Sequence, residues 1–269
     1  MKKSMWAVAT AFTMALAAPA AAQLTNPAAG PGWQFEIQPY LWAPGLHGDA
    51  SINNAPQAKI DMSPKDVLQK LDFGLMGMFE ARNGRWGLVA DAFYAKLSDS
   101  ADKTFSLRPR GRGVVDVNVD LKLKQHIYAL AGEYRLLEGT TPVDLMLGAR
   151  YNSIDMEAKV GLQGLGRLGL SRTRTFSYDK DWVDPYVGLR FVHPLADKWS
   201  LLGYADAGGA GIGAASKFTY QLMGGLIYDY SKTVSFKAGY RQYHINYDHG
   251  GFDYDVNERG FLFELGIKF

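Results

Sequence analysis

The chain has no cysteine. No disulfide can staple it, and no lipid can be attached through a thiol behind a cleaved leader. Beyond the N-terminal leader it also lacks any run of the roughly 20 apolar residues that a membrane-crossing helix requires. Charge of one sign is missing too. There are 29 Lys and Arg against 27 Asp and Glu, and Lys2 and Lys3 both belong to the leader, so the remainder has no formal net charge. A balanced chain offers no basic face for phosphates, which argues against nucleic acid as a partner. In excess are aromatic rings, 13% of residues, and 30 glycines. Aromatic girdles and Gly-rich strands use both.

Residues 1–22 read as a secretory signal: basic Lys2-Lys3, an uncharged apolar stretch from Met5 to Ala18, and small Ala20-Ala21-Ala22 before Gln23. Residues 23–32 then read as a short periplasmic leader. Residues 33–269 form one domain.

That domain is organised around its final strand. Phe261, Phe263, Leu265, Ile267 and Phe269 fall on one face of an extended segment, and Gly260, Leu262, Glu264, Gly266 and Lys268 on the other. A strand that is apolar on one side, mixed on the other and ends on an aromatic suits a barrel in lipid, whose last strand must pair with its first so that no edge is left. The five apolar residues resemble the terminal signal strand, ending in Phe, that bacterial outer-membrane assembly machinery reads, and the resemblance implies that role for them.

Period-two alternation recurs upstream. Trp33 to Asp49 reads as a first strand, residues 50–62 as a polar loop, and Ser63 to Leu71 as a short helix opened by Ser63-Pro64-Lys65-Asp66, with a partial plug of the outer mouth as its expected place. Asn83-Gly84 is a tight hairpin turn between two alternating runs. Residues 99–113 and 162–171 read as long basic or Gly/Arg-rich loops, and the pattern falters at Arg241-Gln242, where a bulge or an exit from lipid is expected. The predicted fold is all-β: a transmembrane, antiparallel up-and-down barrel of about ten strands with one short helix in an extracellular loop. Short turns lie on the side of the termini and longer loops opposite, as in barrels with periplasmic ends.

Parity directs sixteen charged residues into the lumen: Glu36, Glu80, Arg82, Asp91, Glu133, Arg135, Asp144, Arg150, Asp184, Arg190, Asp206, Asp229, Lys237, Arg241, Glu264 and Lys268. Ten strands enclose little more than their own side chains, so these charges are expected to pair across a filled or narrow bore.

The segments Pro39-Tyr40-Leu41-Trp42-Ala43-Pro44-Gly45, Trp182-Val183-Asp184-Pro185, Asp206-Ala207-Gly208-Gly209 with Gly211-Ile212-Gly213, and Gly239-Tyr240-Arg241 followed by Asp248 are spread over most of the chain. In them the chain resembles a family of small proteobacterial outer-membrane β-barrels, porin-like or OmpA-like, with Ala210 where an aromatic is more usual. The resemblance implies a fold and a Gram-negative outer-membrane location, and no particular activity.

Several groupings invite other readings. Gly208 to Gly213 looks like a phosphate-cradling loop, but such a loop opens a helix and a strand follows here. Asp253, Asp255, Asn257 and Glu264 have calcium-loop spacing, with Glu258 where the sharp turn needs Gly. His244, Asp248 and His249 gather near the outer rim, where a surface protease or lipid A-modifying hydrolase would place its site, though no nucleophile accompanies them. Arg108, Arg110, Arg112, Arg167, Arg172 and Arg174 are candidate contacts for lipopolysaccharide phosphates, which guanidinium groups bind bidentately. No cofactor or metal motif is present. The expected function is non-enzymatic, as envelope structure or a narrow passive channel for small solutes, with the rim hydrolase as the alternative. The expected partners are outer-membrane lipid, lipopolysaccharide and the assembly machinery.

Overall fold

The computed structural model describes residues 32–52, 57–107, 113–165 and 170–269. The signal and all of the leader but Gly32 lie outside them. The elements are β1 (Trp33–Ile52), β2 (Ala58–Met62), α1 (Pro64–Lys70), β3 (Leu71–Asn83), β4 (Trp86–Leu107), β5 (Gly113–Leu137), β6 (Val143–Leu165), β7 (Leu170–Ala196), β8 (Trp199–Gly209), β9 (Phe218–Asp229), β10 (Val234–His249) and β11 (Phe252–Lys268).

Neighbouring strands are antiparallel, in the order β11-β10-β9-β8-β7-β6-β5-β4-β3-β1-β2, and β11 also pairs with β1. The ring is therefore closed. At its lower end the seam is fixed by the last residue: Phe269 donates its N–H to the Phe35 carbonyl at 3.0 Å, Phe35 returns the bond at 3.1 Å, and the two rings stack at 5.7 Å.

Among the described residues there are eleven strands rather than ten because residues 58–62, read from the sequence as loop, pair with Leu46–Ala50 of β1. β3 takes the lower part of the same β1 edge, from Trp33↔Asn83 to Pro39↔Gly77. One stave of the barrel is thus broken into β2 and β3, and α1 occupies the break instead of capping a loop. The helix is specified locally. Ser63 and Asp66 form a reciprocal capping box, with Pro64 at the start. The hydrogen bonds from Ser63 hold the Asp66 carboxyl below its usual range, so the cap is fully made at neutral pH.

The lower half of the wall is greasy outside. Leu41, Trp86, Phe261 and Phe263 are each more than half exposed. The band is edged by rings: Trp33, Phe35 and Phe79 stack in sequence below, and above, Phe73, Tyr94, His126, Tyr128 and Tyr151 touch in turn at 4.7–6.2 Å between centroids. On β4 the outward face between the two edges runs from Trp86 to Tyr94, about the 9–11 residues that cross a bilayer.

Above the upper ring the pattern inverts. Along β10, Phe236 and Tyr240 point out and Lys237 and Arg241 in, but beyond them Tyr243, Ile245 and Tyr247 point in with no exposure while Gln242, His244 and Asn246 face out. The register with β9 and β11 runs through this point unbroken, so there is no bulge at Arg241-Gln242. The strand has passed from lipid into water. The loops expected at 99–113 and 162–171 are strand over their described parts: β4 and β5 stay paired to Leu107↔Gly113, and β6 and β7, after a register shift beyond Leu162, to Leu165↔Leu170, while 108–112 and 166–169 lie outside the described residues. Outside lipid a polar outer face no longer marks a loop.

The upper bore is filled by one apolar cluster that includes Trp42, Leu46, Val67, Phe93, Ile127, Ile154, Trp182, Tyr243, Ile245, Tyr247, Phe252 and Val256. Fully burying such a side chain stabilises by about 1.5–3 kcal/mol, so the plug is a major part of the fold's stability.

Candidate functional site

Below the plug the bore is crossed by charge. Arg190 on β7 reaches Glu80 on β3 at 2.7 Å, Glu133 on β5 at 2.7 Å and Asp144 on β6 at 3.2 Å. Arg82 meets Glu133 at 2.6 Å and Asp144 at 2.9 Å, and Arg135 meets Asp144 at 2.9 Å. Three guanidiniums and three carboxylates thus tie four strands together through the lumen. Toward β1 and β11, Lys237 bonds Gln38 at 2.6 Å and pairs with Glu36 at 3.1 Å and more loosely with Glu264 at 3.8 Å. Lys268 and Asp229 pair at 3.5 Å.

The next layer combines charge with rings. Arg241 lies 4.6 Å over Trp42, donates twice to the Gln221 carbonyl oxygen and stands 3.6 Å from Asp91, which accepts the Tyr40 hydroxyl at 2.8 Å. Arg150 is held between the rings of Tyr186 and Tyr243 and binds both oxygens of Asp206, which also accepts from Tyr204. Highest is Asp184, wholly buried, accepting from Ser216 N at 2.7 Å, Ser216 Oγ at 2.8 Å, Trp182 Nε1 at 2.9 Å and Asn152 Nδ2 at 3.0 Å. Through Ser216 it draws the β8–β9 connection down into the mouth. That connection turns through Gly209, Ala210, Gly211 and Gly213, all at positive φ, a backbone that glycine adopts without cost.

The structure places all sixteen charges selected by parity on the inner face; fifteen of them take part in salt bridges there, and Asp184 is held by neutral donors instead. It adds neutral partners that a search for charge passes over: Gln38, Tyr40, Asn152, Gln221 and Tyr243. It also adds Glu258, fully buried in the plug and bonded to Gln125 at 2.5 Å. Parity alone would have found Glu258, since it shares the face of Glu264.

A cavity of about 240 Å3 lies within this charged zone. Pro142 and Asp197 line its lower end beside the short turns, and Tyr40, Arg150 and Arg241 its upper end, directly beneath the plug. It forms a vestibule below the apolar cluster. Its walls alternate methionine and aromatic surface, such as Met78, Met146, Met223 and Tyr186, with paired ions.

The other groupings do not assemble. Asp253, Asp255 and Asn257 face out while Glu264 faces in, and among the described residues no cluster of three His, Cys, Asp or Glu could hold a metal. Gly208 to Gly213 leads into a strand. His244 lies against Tyr220 and 3.8 Å from Asp255, whereas Asp248 is taken by Lys217 at 2.6 Å, a bond that raises the lysine's pKa. Asp248 is thus bonded to Lys217, and the acid beside His244 is Asp255. Arg108, Arg110, Arg112 and Arg167 lie outside the described residues, as does the side chain of Arg172. Arg174 is exposed on β7 opposite Val160.

No protein-family model and no curated protein matches the chain. Solved structures do. The outer membrane protease OmpT of Escherichia coli aligns over 89% of this chain and 97% of its own with a TM-score of 0.53 and 13% identity. The translocator domain of the autotransporter NalP from Neisseria meningitidis aligns over 88% of each chain at TM-score 0.37 and 13% identity. The attachment invasion locus protein Ail of Yersinia pestis aligns over 89% of this chain and 100% of its own at TM-score 0.32 and 12% identity. The first likeness establishes the fold, that of an outer-membrane β-barrel, and says nothing of activity. The other two overlap too loosely to carry an argument.

Proposed function

We propose that this chain is a structural, non-enzymatic barrel of the bacterial outer membrane, delivered there by a cleaved leader at residues 1–22, with a bore that is closed rather than conducting. The observation that carries this reading is the plug. Tyr243, Ile245, Tyr247, Phe252 and Val256 have no exposed surface, and an ion crossing that layer would lose its water with nothing to replace it. Of the two non-enzymatic roles, envelope structure is therefore favoured over solute passage.

Planar-bilayer recording tests it. The refolded protein is expected to give no conductance steps at molar salt, whereas the double variant Tyr243→Ala/Tyr247→Ala, which hollows the plug beside Arg150, gives steps. Steps from the parent protein would restore the narrow-channel reading. Against the hydrolase alternative stands the separation of His244 and Asp248, so peptide and lipid A substrates are expected to stay intact, with His244→Ala and His249→Ala changing nothing. OmpT is a protease by name, but the likeness to it is one of fold.

Assembly supplies a further expectation. Removal of Phe269 deletes both seam hydrogen bonds to Phe35 and the ring stacked on it. Insertion into lipid vesicles, read as the heat-modifiable shift on a gel, is expected to slow several-fold. Unchanged insertion would take away the role proposed for the terminal strand.

A further inference from the structure

Among the described residues the ladder of the barrel wall is broken at lipid depth between β1 and β3. β1 pairs with β3 only as far as Pro39↔Gly77, and its next partner on that edge is Met62, opposite Leu46. Residues Tyr40 to Gly45 are paired with β11 on one side, from Tyr40↔Glu264 to Gly45↔Arg259, and with no strand on the other. Across the break, β3 from Phe73 to Met76 is held by β4 alone.

The sequence builds this gap. Even-numbered residues of β1 direct their backbone toward β3, and of these Pro44 has no N–H to give. The N–H of Trp42 goes to the thioether of Met76 at 3.3 Å, not to a carbonyl. Above, α1 roofs the break, its first residue so close that a Cβ on Gly45 would lie 3.0 Å from Pro64.

The break lies in the greasy band. Leu41, at its outer lip, is level with Phe263, and Leu75 is level with Tyr94; they are 71% and 65% exposed. Its inner side is Trp42, 3% exposed, whose indole N–H is buried without a partner. Immediately below are Tyr40 and Met78, which line the vestibule. The groups bordering the break, Leu41, Trp42, Leu75 and Met76, carry no charge, and Met76 is an unbranched side chain able to swing aside.

We infer that this break is a side slot that takes one hydrocarbon chain of an outer-leaflet lipid, with Met76 as its shutter and the face of Trp42 as its inner wall. The occupant follows from the position, since lipid tails are what touch Leu41 and Leu75. Hydrocarbon gives the backbone at the break no hydrogen bond, and the Trp42 N–H is met inside the wall by the Met76 sulfur; what the uncharged rim offers a lipid tail is apolar contact. The inference rests on the barrel being embedded in lipid.

Tryptophan quenching by acyl-chain bromine, which acts by contact, tests it. Three single-tryptophan proteins retaining Trp42, Trp86 or Trp182, with the other tryptophans changed to Phe, are refolded into brominated phosphatidylcholine. Trp86 is lipid-facing and Trp182 is as buried as Trp42 but sits in the plug. The expected result is that Trp42 is quenched at least half as strongly as Trp86 while Trp182 is not. Trp42 behaving like Trp182 overturns the slot, and a failure to quench Trp86 overturns lipid embedding itself. Should the Trp42-only protein not fold, Trp42→Phe in the otherwise unchanged chain decides: the quenched fraction falls if Trp42 meets lipid tails and rises if it does not.

Discussion

Arg190→Ala is expected to cost about 3–5 kcal/mol of stability, the usual consequence of removing one partner from a buried ion network. Arg190 meets Glu80, Glu133 and Asp144 at once, so its loss leaves three carboxylates to Arg82 and Arg135. The sign can be checked by compensation. Neutralising one of those acids with Glu133→Gln in the Arg190→Ala background restores the balance of charge and is expected to recover part of the loss, although Glu133→Gln alone is destabilising. Arg190→Lys is expected to fall between, because an ammonium cannot span carboxylates on three strands as a planar guanidinium does. Urea titration in detergent micelles, followed by the gel shift between folded and unfolded bands, measures each. A single-variant loss under about 1 kcal/mol would mean that water from the vestibule takes over the role of the arginine.

The second large effect is expected at Asp184. Asp184→Ala strands four buried donors, from Ser216, Trp182 and Asn152, each costing about 1–3 kcal/mol when left unsatisfied, partly relieved because the Ser216 end can swing out to water. A net loss of about 3–5 kcal/mol is expected. It should be accompanied by release of the β8–β9 connection, read as new cleavage between Gly211 and Gly213 by a protease that leaves the parent intact. Asp184→Asn preserves shape but turns an amide toward donors, so it is expected to be intermediate in stability and to release the connection as well. An Asp184→Ala protein with the parent's cleavage pattern would show that the turn's own backbone holds it in the mouth.

The resemblance segments acquire a physical meaning from this geometry. Trp182 and Asp184 are two of the groups that hold the connection, Gly209, Gly211 and Gly213 shape it, and Pro39 to Gly45 contains the break beside α1. None of these roles shows in the segments themselves, because the partners come from residues 30 to 60 positions away, such as Asn152 and Ser216 for Asp184.

A polar outer face marks the end of the lipid-facing wall and does not mark the end of a strand. Basic and Gly-rich composition at 99–113 and 162–171 and polarity at 50–62 suggest loops, yet the described tips of β4 to β7 and Ala58–Met62 are paired strand, and at Arg241-Gln242 the ladder runs on where the side chains change solvent. Glu258 shares the inward face of β11 with Glu264, so its burial is written in the strand's period of two.

The sequence by itself determined which side of each strand meets lipid and which meets the lumen, since a period of two carries that information residue by residue. It also set the capped start of α1 and the aromatic close of the last strand. Only the tertiary structure decided how the lumen charges pair, that an apolar cluster gathers in the bore above them, and that the wall parts between Tyr40 and Gly45. Those outcomes depend on which strands stand opposite each other across the ring, and no stretch of sequence contains both sides of a closed cylinder.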